Sequence, residues 1–138
     1  MKSLLLASVL LAYVSSDDHV VPAEVVSVYD GDTINVRAEI WPDIYWEGAI
    51  RLNNIDTPEI GWRAECPQEA ALAYEAKALM EEYARGQVLI VNPKLGKFAG
   101  RVIADIMTLD GIFLDDMLVG AGLAREYHGG RREGWCPE

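Results

Sequence analysis

The sequence predicts an α+β protein, mainly β, in which five strands close into a small barrel that carries two to three helices. Short segments rich in β-branched residues recur along the 138-residue chain, and each ends at a Gly, Asp or Pro turn signal. An amphipathic segment separates the third strand from the fourth, and a shorter helical segment follows the fifth. This order favours a closed or partly open barrel, although other α+β arrangements fit the pattern.

The first three strands are predicted to be sequential neighbours joined by turns. They span residues 23–29, 33–40 and 49–55. Asp30-Gly31-Asp32 joins the first two, because Asp-Gly permits the left-handed backbone that a tight hairpin needs. The second strand alternates, so the even-numbered residues from Ile34 to Ile40 form its apolar face. Residues 41–48 are predicted to be a loop or wide hairpin. Its aromatic residues either cap the barrel or form a platform for a base, and we favour capping.

The second half of the chain continues with a helix, two strands and a short helix. Pro67 suits the first position of a helix, and Gly86 suits its end. The predicted apolar face of this helix consists of Ala71, Leu72, Leu79, Met80 and Tyr83. The later elements are strands at residues 88–91 and 102–109 and a helix at residues 115–121. From Arg125 onward no periodicity predicts an element. The complete order fits a five-stranded OB-fold barrel.

Residues 1–16 have the layout of a secretory signal peptide. Lys2 provides a positive start, residues 4–14 are an apolar run, and Ser15 and Ser16 are small enough to precede a cleavage site. The apolar run is shorter than the roughly 20 residues that span a bilayer. We therefore expect a mature domain of residues 17–138 that is secreted or periplasmic and has no stable membrane association after cleavage.

The charge of the chain argues against a broad nucleic-acid-binding face. The formal net charge is −10, whereas phosphate binding usually uses a basic surface. An acidic protein still binds phosphate when a few Arg side chains and a bound cation are placed at one site. Net charge therefore informs steering and solubility rather than the chemistry of a site.

Two cysteines, Cys66 and Cys136, are present. In an exported protein the expected state of such a pair is a disulfide. Two Cys alone make a poor zinc site, and His19 and His128 show no ligand spacing.

Five charged residues in or next to the predicted strands are candidates for chemistry. Asp32 lies in the first turn, and Asp56 and Glu59 follow the third strand. Because these strands are neighbours, Asp32 and Asp56 are able to converge, and such carboxylates suit a hard cation such as Ca²⁺. Arg51 and Arg101 carry guanidinium forks that bind phosphate oxygens bidentately. Taken singly, each motif is more often a turn cap or a solvated strand charge.

In this order the motifs resemble the thermonuclease, or staphylococcal-nuclease-like, family. The matching segments are residues 28–33, 50–52 and 55–59, the helix from Pro67, and residues 100–102 and 118–124. Several motifs in order are far more specific than one. The resemblance implies an OB-fold barrel that carries helices and binds a single Ca²⁺.

The resemblance also implies roles for the acidic residues. By matched motif, Asp32 and Asp56 correspond to metal carboxylates, and Thr57 corresponds to a ligand through its backbone carbonyl. Glu59 corresponds to the residue that orients or deprotonates the attacking water. Phosphodiester hydrolysis needs these functions, because water must attack in line while charge builds on the phosphate oxygens.

Arg51 and Arg101 correspond by the same resemblance to the phosphate clamps. The activity that the family implies is hydrolysis of DNA and RNA with little sequence preference, and we expect a monomer.

The chain departs from the family pattern at one substrate contact. The family commonly has Tyr directly before the Gly-Arg pair, where this chain has Ala99, so substrate affinity is affected more than catalysis. Phe98 is a candidate to stack on a base instead. A C-terminal aromatic contact is also expected, and either Tyr127 or His128 lies near that place.

Two other functions fit the same fold. One is a non-catalytic nucleic-acid-binding or protein-binding module, since fold does not fix function. Such relatives usually lose the acidic and Arg positions, which this chain keeps. The other is a phosphodiesterase that acts on small nucleotides, which the acidic charge and Ala99 favour.

Overall fold

The computed structural model describes residues 15–98 and 100–138, which contain seven strands. In chain order these are β1 Val20–Asp30, β2 Thr33–Trp41, β3 Ile44–Leu52, β4 Ile55–Asp56, β5 Gln87–Leu95, β6 Val102–Thr108 and β7 Arg125–Glu126. Five of them close a barrel in the order β1-β2-β3-β6-β5, and β4 pairs with β7 in a separate small sheet. The β3–β6 pairing is parallel and the other barrel pairings are antiparallel. The predicted five-stranded OB-fold barrel is confirmed.

In the part of the chain that the structure describes, the strands are accompanied by two α-helices and one 3₁₀ turn: the turn Gly61–Arg63, α1 Pro67–Tyr83 and α2 Leu114–Gly120. Helix α1 has Cys66 as its N-cap and Pro67 at its first position, as the sequence predicts. Its buried residues are Glu69, Ala73, Ala76 and Met80, and Leu72 and Leu79 are partly buried against the core. Of the predicted apolar face, Met80, Leu72 and Leu79 are therefore confirmed, whereas Ala71 and Tyr83 are exposed.

The larger hydrophobic cluster of the described residues fills the barrel and continues into both helices. Ile34, Ile50 and Ile106 contribute from three barrel strands, Met80 contributes from α1 and Leu118 from α2. Burying each such side chain stabilises the fold by about 1.5–3 kcal/mol. The strands that carry the candidate site residues are therefore fixed from inside.

The second hairpin is tighter than predicted. Strands β2 and β3 pair as far as Trp41 and Ile44, so only Pro42 and Asp43 form the turn, with φ of 62° at Asp43. The prediction of a loop or wide hairpin at residues 41–48 is wrong, because the pairing continues into the apolar and aromatic residues. Ile40, predicted to face inward, is exposed.

The aromatic residues of this hairpin are divided between packing and exposure. Trp46 packs against the core, as the capping interpretation requires. Trp41 is 70% exposed. The Arg37 guanidinium stacks on the Tyr45 ring, with its Cζ 4.0 Å from the ring centroid. Capping is confirmed for Trp46 and wrong for Trp41 and Tyr45.

The third barrel strand ends at Leu52, earlier than residue 55. Asn54 adopts φ of 57°, which interrupts the pairing, and Ile55 then begins β4.

Gly31 is required in the first turn for a different reason from the one predicted. It is not among the residues with positive φ. A Cβ at this position would lie 2.7 Å from Ala76 Cβ of helix α1. The absence of a side chain thus brings α1 against the turn that contains Asp32.

The two cysteines join the end of the chain to the start of α1. Cys66 and Cys136 form a disulfide, with their Cα atoms 6.0 Å apart, and the predicted pairing is confirmed. Strand β7 pairs with β4 through Ile55–Glu126 and Asp56–Arg125. Residues 127–138, called the tail below, follow β7.

The apolar run of the predicted signal peptide lies within residues 1–14, which are outside the described residues. Ala99 is also outside them. Within residues 15–98 and 100–138, none of the helices has the length and apolar character needed to cross a membrane.

Candidate active site

Three parts of the chain meet at the buried carboxylate of Asp32. The Thr33 hydroxyl donates to its Oδ1 at 2.7 Å, and the Thr57 hydroxyl donates to its Oδ2 at 3.1 Å. Nη2 of Arg51 lies 3.6 Å from the same Oδ2. The first turn, strand β3 and the segment after β4 therefore converge at Asp32.

The Arg51 guanidinium is held in one orientation by the backbone. Nη1 donates to the carbonyl of Leu52 and Nη2 to the carbonyl of Ile55, both at 3.0 Å. These bonds satisfy carbonyls where β3 gives way to β4. Since Arg has five N–H donors, others remain for an anionic partner.

Asp56 and Glu59 share a single guanidinium from the tail. Nε and Nη2 of Arg132 both donate to Asp56 Oδ1, the first at 2.7 Å. Nη1 of Arg132 lies 3.1 Å from Glu59 Oε1. The indole N–H of Trp135 donates to Asp56 Oδ2 at 3.2 Å. Both oxygens of the buried Asp56 carboxylate thus have partners in the tail.

Glu69, on the first turn of α1, fixes the loop that carries Glu59. Its buried carboxylate accepts the backbone N–H of Glu59 at 3.0 Å and that of Glu65 at 2.8 Å. A buried carboxylate needs such partners, and here they satisfy two loop donors as well. Helix α1 thereby sets the position of the Glu59 backbone.

The electrostatics of the site shift two pKa values. Burial raises the pKa of Asp30 to about 7, and the negative charges of Asp32 and Glu59 act in the same direction. Burial alone would lower the pKa of Arg132, but its hydrogen bond and ion pair with Asp56, together with Glu59, outweigh burial and raise it.

A cleft of about 460 Å³ adjoins these residues. Its lining includes Asp56, Thr57 and Glu59 on one side, and Arg63 and Arg131 bring further positive charge. Glu65, Glu69 and Glu133 also line the cleft, so the three Arg side chains face a lining in which acidic residues remain more numerous.

The remaining predicted site residues are not joined to this network. Within the described part of the chain, no hydrogen bond or ion pair links the Arg101 side chain to the carboxylates. Phe98 is exposed. The Tyr127 hydroxyl donates to the Gly130 carbonyl at 2.7 Å, and His128 is exposed.

The carboxylates fit a hard cation by their chemistry. Asp32 and Asp56 offer buried oxygen donors, and Arg132 already places a positive charge on Asp56. Within residues 15–98 and 100–138, no three His, Cys, Asp or Glu side chains are grouped closely enough to hold a metal ion. A cation would therefore need backbone carbonyl and water ligands in addition.

Three residues of the site were not predicted as functional: Asp30, Glu69 and Trp135. For Arg132 the sequence left two interpretations open, a local positive charge supplied by the tail or a solvated turn. Glu69 resembles any acidic residue in the first turn of a helix. One signal did point to the tail, because a disulfide between Cys66 and Cys136 brings its end to the residue before α1, close to Glu59.

The fold and these residues define a small OB-fold barrel that presents buried carboxylates and a fixed guanidinium at one place. The sequence model of the family described as staphylococcal nuclease homologue matches residues 49–134, more than half of the chain. The chain belongs to this nuclease-like family. No curated protein matches it. Asp32 precedes the matched segment, but its contacts with Arg51 and Thr57 join it to matched residues.

Proposed function

We propose that the chain is a secreted, Ca²⁺-dependent nuclease that hydrolyses phosphodiester bonds in DNA, RNA or both with little sequence specificity. The observation that carries this proposal is the contact of Asp32 with Arg51 and Thr57, next to Asp56 and Glu59. Family membership supports hydrolysis of nucleic acid. The disulfide supports an oxidising compartment, which agrees with a signal peptide at residues 1–16.

Asp32, Asp56 and the backbone carbonyl of Thr57 would hold Ca²⁺. Their hard oxygen atoms are the donor type that this ion prefers. When bound, Ca²⁺ supplies a positive charge that stabilises the negative charge developing on the phosphate.

Glu59 would orient or deprotonate the attacking water. Its carboxylate is partly exposed, so water has access, while Glu69 holds its backbone. A fixed base within hydrogen-bond reach of water favours in-line attack.

Arg51 and Arg101 would bind the phosphate oxygens. The two carbonyl bonds of Arg51 fix its plane before substrate arrives, which reduces the ordering cost. Arg51 pairs with Ile103 in the parallel β3–β6 register, and Arg101 is two residues earlier. This register supports placing Arg101 on the same face as Arg51.

Substrate contacts outside the scissile phosphate would come from Phe98 and from Tyr127 or His128. Phe98 is sufficiently exposed to stack on a base. We expect the protein to act as a monomer.

Hydrolysis of DNA and RNA, with Ca²⁺ or with chelator, tests the proposal. We expect cleavage only with Ca²⁺. Glu59→Gln should lower turnover about 10²- to 10⁴-fold while Ca²⁺ affinity stays within about threefold. The matched control is Glu75→Gln, which removes the same charge from an exposed position of α1. Equal turnover in the two variants would contradict the role of Glu59.

A phosphodiesterase for small nucleotides is the second candidate, favoured by the net charge of −10. A dinucleotide analogue cleaved faster than long DNA under the same conditions would establish it. Binding of DNA without cleavage of either substrate would establish a non-catalytic module.

A further inference from the structure

The tail supplies a cation of its own to the carboxylates proposed for catalysis. Arg132 bonds Asp56 Oδ1 through Nε at 2.7 Å and reaches Glu59 Oε1 at 3.1 Å. These contacts are called the Arg132 bridge. The same two carboxylates are the proposed metal ligand and the proposed base, so the bridge occupies both.

The covalent structure favours the Arg132 bridge. Cys136, four residues later, is bonded to the N-cap residue of α1. The Trp135 ring lies 3.8 Å from the Arg125 guanidinium, and its N–H binds Asp56. A tethered group has a high effective concentration at its site, so the guanidinium returns readily after each displacement.

The bridge is also able to open without unfolding of the barrel. The Arg132 side chain is 44% exposed, and it belongs to a segment without regular secondary structure. The barrel core does not include this segment. Displacement therefore requires movement of tail residues alone.

A guanidinium and a divalent cation repel each other at the separation that a shared carboxylate oxygen imposes. We propose that Arg132 is an intramolecular competitor of Ca²⁺, so that the tail sets the metal affinity of the site. This inference rests on the proposed function, because it takes Asp56 to be a Ca²⁺ ligand.

Calorimetric titration of the full mature chain with Ca²⁺, after removal of metal by chelator, tests the competition. We expect Arg132→Ala to lower the dissociation constant for Ca²⁺ about tenfold, a modest effect because the ion pair is partly exposed. The dissociation constant of Arg132→Lys should lie between those of wild type and Arg132→Ala, since an ammonium group cannot reproduce the planar guanidinium fork. The matched control is Arg37→Ala, which removes the same charge from an exposed residue of β2 that does not line the cleft, and it should change the constant less than about twofold.

Thermal unfolding separates competition from a merely structural role. With chelator, Arg132→Ala should unfold at a lower temperature than wild type, because Asp56 and Glu59 lose their partner. Saturating Ca²⁺ should remove most of this difference. If Arg132 had only a structural role, Arg132→Ala would lower the unfolding temperature equally with chelator and with saturating Ca²⁺. If Arg132→Ala does not fold in chelator, Arg132→Gln, which keeps a donor without the charge, takes its place.

A dissociation constant in the Arg132 variant that equals or exceeds that of wild type would overturn the inference, as would absence of Ca²⁺ binding in all variants. The titration contains no substrate. Ca²⁺ binding with the expected order of affinities but without hydrolysis would therefore refute the nuclease proposal and leave this inference standing.

Discussion

Two groups of residues, called walls below, surround the carboxylates of Asp56 and Glu59, and they are built differently. The barrel wall, Asp32 and Arg51, belongs to the strands and turn of a closed barrel with a continuous core. The tail wall, Arg132 and Trp135, belongs to a segment held by side-chain contacts, ion pairs and one disulfide. The backbone itself fixes the first wall, whereas the second depends on a few replaceable interactions.

This difference indicates that the two walls have different functions. Groups that must be placed within a fraction of an ångström for chemistry are best carried by rigid elements. Groups that control access are drawn from less stable segments, because they have to move. We therefore expect changes in the barrel wall to affect turnover and changes in the tail wall to affect metal affinity and stability.

Among changes to the two walls, the largest expected effect is the loss of Arg51 from the barrel wall. Arg51→Ala should lower turnover at saturating Ca²⁺ about 100-fold or more, because a preorganised donor to the transition state is removed. Arg51→Lys should recover only a small part, since a point charge cannot reproduce the fork. Steady-state kinetics on DNA measure both variants.

The control for this comparison is Arg37→Ala, which removes an exposed Arg from the adjacent strand β2. It should retain turnover within about twofold. Circular dichroism establishes whether each variant is folded, since Arg51 also binds two carbonyls. A drop in turnover that disappears when only folded protein is counted would assign Arg51 a structural role.

The barrel wall could be predicted from the sequence because its signals are local. An Asp-Gly turn places Asp32, and an apolar strand places Arg51, so neighbouring elements bring them together. The sequence-based predictions were wrong where tertiary packing determines the local conformation. Residues 41–48 form a tight hairpin that leaves Trp41 exposed, and Gly31 is required by the approach of Ala76 rather than by its backbone angle.

The tail wall could not be predicted, because its partners are distant in sequence. Arg132 and Asp56 are 76 residues apart, and no period in residues 127–138 indicates which side chain meets which. Glu69 is a similar case, since its burial depends on loop N–H groups that periodicity does not show. The disulfide predicted from Cys66 and Cys136 and the basic pair Arg131 and Arg132 pointed to the region, but neither showed which side chains meet.

The next effect in size concerns the tether of the tail wall. The double variant Cys66→Ser, Cys136→Ser should lose about 2–4 kcal/mol of unfolding free energy, because the disulfide closes a loop with a sequence separation of 70. Serine keeps an N-cap acceptor at the start of α1. Urea denaturation measures the loss.

The same variant sharpens the contrast between the walls. Turnover at saturating Ca²⁺ should stay within about threefold of wild type, because Asp32 and Arg51 are unchanged. Mass spectrometry after alkylation without reductant should find no free thiol in exported wild-type protein. Two alkylated cysteines, or a loss of turnover as large as that of Arg51→Ala, would contradict the division between the walls.

The smallest expected effect comes from an acid outside both walls, Asp115 in the first turn of α2. Burial raises its pKa, and the charge of Asp116 adds to this. Its Oδ1 is buried and has no hydrogen-bond partner among the described residues. A raised pKa means that the folded state binds more protons than the unfolded state, so stability falls as pH rises above the ordinary value of 3.8. Asp115→Asn should remove this fall and raise the unfolding free energy at pH 7 by less than about 1 kcal/mol, because the group is partly exposed and its charge also favours a helix N-terminus. At pH 3 this gain in unfolding free energy should disappear.

Urea denaturation between pH 3 and pH 7 measures the unfolding free energy of Asp115→Asn. The control is Glu81→Gln, which removes an exposed charge from α1. Equal slopes with pH in wild type and Asp115→Asn would contradict the assignment, whereas a changed Ca²⁺ affinity would show that acids outside the walls also act on the site.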